Sequence, residues 1–227
     1  MSKSTCSLCR FWQSSIGKKL VVALTGIVLV GFLLGHLTGN LLIFVGPEAF
    51  NEYAAFLHGM LHGAGIWIAR IVLLTCLVLH VTATIQLVRA NKTAKGKNYE
   101  KDTTNVASKS SRMMIWSGLT ILAFVIYHIL HYTVRINSEL KALADAGNPH
   151  AMVIEGFKDY PTSIFYIIAI SLLCSHLSHG IASIFQTLGL RTRKNAGMIN
   201  CLAKGLTAVI WIGFLSIPVA VMARFVS

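Results

Sequence analysis

The sequence predicts an all-α integral membrane protein, a five-helix bundle that takes in the whole chain, 1–227, as one domain. Three observations predict it. Five apolar runs are each long enough to cross a bilayer, which takes about 20 residues. Only 12% of the residues are charged, against about 25% in a soluble domain. The basic residues also collect in alternate connections between the runs. A mean hydropathy of +0.66 agrees.

The runs lie at roughly 20–45, 66–88, 113–134, 162–190 and 205–224. Inside lipid the backbone must satisfy its own hydrogen bonds, so each reads as a helix. The first is longer than the apolar core of a signal peptide, which runs to about 7–15 residues, and is expected to stay in the membrane. The fifth contains Pro218, which should kink that helix without ending it.

Charge then gives the orientation. The N-terminal segment holds Lys3, Arg10, Lys18 and Lys19. The second connection holds Arg89, Lys92, Lys95, Lys97, Lys101, Lys109 and Arg112, and the fourth holds Arg191, Arg193, Lys194 and Lys204. Fifteen of the 20 basic residues therefore share one side, while six of the eight acids lie on the other. Cytoplasmic loops carry the excess of Lys and Arg, so the N-terminus is expected in the cytoplasm and the C-terminus outside. The net charge of +12 thus reads as topology, and nucleic acid is not an expected partner. The basic stretch 89–112 suits anionic lipid and equally a docking surface.

Of the five cysteines, Cys6 and Cys9 form one CxxC. A single CxxC without a second pair is a weak metal signal, and Arg10 follows it where covalent haem attachment needs histidine.

The histidines carry the chemistry. His36 lies nine residues before the outer end of the first span, and His128 seven before Arg135 at the outer end of the third. His80 lies nine before Arg89 and His179 twelve before Arg191, both counted from inner ends. At about 1.5 Å per residue, two sit roughly 10–14 Å below the outer boundary and two sit in the inner half. Each comes from a different helix. One histidine in a span is ordinary helix–helix glue. Four on four helices, paired by depth, point to metal ligation, because a titratable ring in lipid is expensive and imidazole is the commonest neutral metal ligand. Two facing imidazoles close both axial positions of a haem iron and favour electron transfer over oxygen binding. Gly31, Gly35 and Gly39 recur around His36, and Gly180 follows His179; small residues admit either a flat macrocycle or another helix. His131 and His176 stand three residues from His128 and His179, on a shared face, so either member of each pair can ligate and the other can bond a propionate or quinone. Arg70, Arg112, Arg135 and Arg191 sit near span ends, where guanidinium groups pair with propionates or simply reach the interface.

At this point the chain resembles a family: the single-chain, five-helix, two-haem cytochrome b of succinate:quinone oxidoreductases and quinol:fumarate reductases. The resembling stretches are SSIGKKLVVALTG (14–26), HLTGNLLIF (36–44), FNEYAAFL (50–57), LHVTATIQL (79–87), IYHILHYT (126–133) and SHGIASIFQTLG (178–189). The resemblance implies two b-type haems, with His36 and His128 on the distal one and His80 and His179 on the proximal one. It implies menaquinone or another quinone as redox partner. It implies a flavoprotein subunit and an iron–sulfur subunit on the cytoplasmic face of a bacterial inner membrane, and an oxidoreductase complex in which this chain does not itself transform the dicarboxylate. One departure concerns the quinone site. Some members use a glutamate at the outer end of the second helix, whereas here Glu48 and Glu52 precede that span, so the site stays unplaced. His58 and His62, in the same connection, read as surface residues. Two rival readings remain: a two-haem anchor of nitrate reductase or hydrogenase type, and a haem-free transporter with a histidine proton relay.

Overall fold

In the computed structural model, which describes residues 7–95 and 109–226, the chain is helical, with no strand among the described residues. A short α1 (Ser7–Gln13) leads into α2 (Ser15–Leu41). The Ser14 hydroxyl caps α2 by accepting from the Gly17 amide at 2.8 Å. A 3-10 turn (Leu42–Phe44) and Gly46, at φ +135°, turn the chain into α3 (Pro47–Gly59). A second 3-10 turn (Met60–Gly63) joins α3 to α4 (Ala64–Lys95). Leu61 and His62 there both adopt the left-handed region, at φ 50° and 54°.

Next comes α5 (Lys109–His128), which continues as a π-helical turn (Ile129–Val134) until Arg135, also left-handed, stops it. Two short helices follow, α6 (Ser138–Asp145) and α7 (Pro149–Lys158). The last two are α8 (Tyr160–Thr187) and α9 (Ala196–Met222).

Five stretches are long and apolar enough to cross a membrane: Ser15–Phe44, Pro47–Asn91, Met114–Val134, Tyr160–Thr187 and Ala196–Met222. They match the five expected runs. Several begin a turn or more earlier, because helix propagates beyond the apolar stretch once nucleated. Pro218 lies inside α9 and does not end it.

The spans pack unequally. α8 lies against α2, α5 and α9; α4 lies along α2 and meets α3 and Met60–Gly63. Among the described residues the consecutive spans α4 and α5 do not pack extensively along one another. On α8 the buried residues Tyr166, Ile170, Cys174, Leu177 and Ile181 fall every three or four positions, one helical stripe turned to the bundle.

At one end α3, α6 and α7 form a cap. α7 is the most enclosed helix for its length, with His150, Met152, Val153, Ile154, Gly156 and Phe157 all buried. Burial from water contributes about 1.5–3 kcal/mol for each such large apolar side chain, whereas lateral contacts between spans only replace lipid. Asn51 on α3 ties the cap together: its Oδ1 accepts from the His150 amide at 2.9 Å and its Nδ2 donates to Asn148 Oδ1 at 3.2 Å. A Cβ on Gly156 would lie 2.5 Å from the Tyr132 hydroxyl, so only glycine lets α7 approach α5 this closely.

Candidate functional site

The structure brings His36 and His128 together. Their ring centres lie 5.8 Å apart at 81°. Two imidazoles gripping one metal from opposite sides, each through a nitrogen about 2 Å away, have centres on the order of 6 Å apart. Phe32 and Phe214 flank His36, at 5.2 and 5.8 Å, and Phe124 flanks His128 at 5.9 Å. A Cβ built on Gly31 or Gly35 meets nothing within 4 Å. Gly39 behaves differently: a Cβ there would collide with the Tyr53 ring of α3, so this glycine serves helix packing.

Hydrogen bonds orient the rings. The Tyr166 hydroxyl of α8 lies 3.2 Å from His128 Nδ1 and 3.1 Å from His131 Nδ1. The π turn begins directly after His128 and contains His131; such turns concentrate at functional sites. The Asn40 amide donates to the His36 carbonyl at 2.7 Å and lies beside both ring nitrogens, at 3.3 and 3.5 Å, without choosing between them.

At the other depth, Thr25 Oγ1 lies 3.1 Å from His80 Nδ1. Thr25 gives its own hydrogen to the Val21 carbonyl at 2.7 Å, so it meets His80 as an acceptor and His80 carries its proton on Nδ1. The Nε2 lone pair of His80 is then free for a metal. The same logic holds on α8. Ser117 Oγ donates to the Met114 carbonyl at 3.1 Å and faces His176 Nδ1 at 3.1 Å. With Ser117 as the acceptor there, His176 presents its Nε2 lone pair as well. Gly180, four residues on from His176 and so on the same face, again has nothing within 4 Å of a built Cβ. His179 has no side-chain hydrogen bond among the described residues. The His36–His128 pair fits a bis-imidazole centre, and His80 and His176 are oriented by hydroxyls in the way a metal-binding imidazole is.

The arginines separate. Arg70 stacks over Trp67 at 4.9 Å. Arg135 lies 3.9 Å from Asp145 and donates to the Thr133 carbonyl at 3.3 Å. Arg191 donates to Gln186 Oε1 and Asn200 Oδ1, both at 3.2 Å, and its buried Nε has no partner; with neutral acceptors only, it is the best placed of these to meet an anion. The Arg112 side chain and Cys6 lie outside the described residues, and Cys9 is exposed. His58, His62, Glu48 and Glu52 are exposed.

At the capped end, Lys141 and Arg135 hold the Asp145 carboxyl below the usual carboxylate range, the Lys141 hydrogen bond contributing most. Asp159 is held low by its bonds to Thr162, whose amide donates to Oδ2 at 3.0 Å to cap α8.

Sequence reading missed Thr25, Ser117 and Tyr166. Hydroxyls inside apolar runs are the only linear signal for them. No family model, curated protein or solved structure matches this chain. Among the described residues no group of three or more His, Cys, Asp or Glu forms a protein-only metal site, and an axial pair on a macrocycle does not require one.

Proposed function

We propose that this chain is the membrane anchor and electron-transfer subunit of a succinate:quinone oxidoreductase or quinol:fumarate reductase, holding two b-type haems. The observation that carries the reading is the His36–His128 pair, two rings from separate spans at 5.8 Å. His80 supplies one ligand of the second centre. For the other, His176 is favoured over the His179 that the family resemblance names, because Ser117 stands 3.1 Å from His176 Nδ1 and can orient that ring with Nε2 toward a metal. His179 then stands beside the centre. Held by these imidazoles, each haem would supply a one-electron carrier.

The chain's own residues hold and orient. Thr25 and Ser117 aim imidazoles through Nδ1, and Gly31, Gly35 and Gly180 leave flat surface free. Arg191 offers a cation for a propionate at the inner end. The excess of Lys and Arg in the connections at that end supports a cytoplasmic side in a bacterial inner membrane, where the iron–sulfur and flavoprotein subunits would dock. Menaquinone or another quinone is the redox partner that exchanges electrons with the haems.

The test is haem content by pyridine haemochrome. Wild type should carry two haems per chain, and His36→Ala and His80→Ala one each. Two haems in His36→Ala would overturn the distal assignment. His176→Ala should lose a haem that His179→Ala keeps. A colourless wild type would favour the transporter reading, and co-purification with a succinate-oxidising flavoprotein separates this anchor from nitrate reductase or hydrogenase types.

A further inference from the structure

Tyr166 stands between two histidines that the sequence cannot rank. It is 3% exposed, on the inward stripe of α8. Its hydroxyl reaches Nδ1 of both His128, at 3.2 Å, and His131, at 3.1 Å. Its ring is fixed by Phe124 at 5.1 Å and Phe157 at 5.0 Å, both edge-on.

A phenol has one hydrogen. It can donate that hydrogen to one imidazole only, and the second contact is a hydrogen bond only if the other ring donates its N–H to the phenolic oxygen. If both rings donated, the phenolic hydrogen would be buried without an acceptor, which is costly. The two neutral rings are therefore held in opposite tautomers. The ring that donates through Nδ1 has its lone pair on Nε2 and can bind a metal there. The ring that accepts at Nδ1 carries its hydrogen on Nε2 and cannot.

Position decides which is which. His128 faces His36 across 5.8 Å. His131 packs instead against Tyr132 at 4.2 Å and Tyr127 at 5.5 Å. We propose that Tyr166 is a positioning residue that selects His128 as the distal ligand and excludes His131, by accepting a hydrogen bond from one ring and donating to the other. This rests on the two-haem reading above.

The arrangement also tunes the metal. A ligand imidazole whose N–H is hydrogen-bonded is more electron-rich and favours ferric iron. In the purified haem-loaded protein, Tyr166→Phe should keep two haems, and one of the two midpoint potentials should move positive while the other stays. Phenylalanine preserves the packing, so a purely structural role predicts no shift. His131→Phe should also keep two haems, whereas His128→Ala should keep one. Unmoved potentials in Tyr166→Phe, or loss of a haem in His131→Phe, would overturn the assignment even if the other variant did not fold. A haem-free wild type would instead overturn the two-haem reading and this inference with it. Two haems in the wild type with a failed variant test overturns the role of Tyr166 alone.

Discussion

The Thr25 hydroxyl acts on His80 through a hydrogen it no longer has, having given it to the Val21 carbonyl. Thr25→Val keeps the shape and removes the hydroxyl that orients His80 Nδ1. Haem affinity at that centre is expected to fall about 10–100-fold, read as haem retained per protein after gel filtration. A second residue-scale prediction concerns Asp159. Its carboxyl is depressed in the folded state, chiefly by its bonds to Thr162, so the stabilisation is complete above the ordinary carboxylate pKa of about 4. It is lost as pH falls through the depressed folded value. Asp159→Ala should therefore lower Tm near neutrality, with the gap to wild type closing at strongly acidic pH, measured by thermal scans in detergent.

Glycine positions divide the elements into those pressed together and those with room. In the haem-free protein Gly39→Ala drives a methyl into the Tyr53 ring and should lower Tm, while Gly35→Ala meets nothing and gains helix propensity, worth about 1 kcal/mol. Parallel melting curves of the two variants check the contrast. The spans themselves were legible in the sequence, because a long apolar run has only one good solution in lipid. The π turn after His128 was not, since Ile129–Val134 continues the apolar run without a break in the sequence. Nor was the cap: α6 and α7 are short, and α7 buries residues on almost every side only because α3, α8 and α9 enclose it. At the site, the depth pairing found His36 with His128 from spacing alone. The Ser117 contact that distinguishes His176 from His179 comes from a different helix and leaves no trace in local pattern.

At the scale of the whole molecule, the spans are held to different degrees. Among the described residues α8 packs along three other spans, while the one span that α4 packs along extensively is α2, its other main contacts being α3 and Met60–Gly63. Amide hydrogen exchange in detergent should therefore be faster in α4 than in α8 when the protein is prepared without haem, and the difference should shrink on haem loading. Equal exchange in both helices without haem would contradict the packing described here. The cap has a further consequence, for biogenesis. The densest cluster of water-shielded side chains, residues 149–158, is synthesised after three spans and before the last two. A ribosome-bound chain that has not yet delivered this peptide to the far face has helices in the bilayer but no keystone to lock them, so stalling upstream of residue 149 should leave the inserted helices sensitive to membrane proteases.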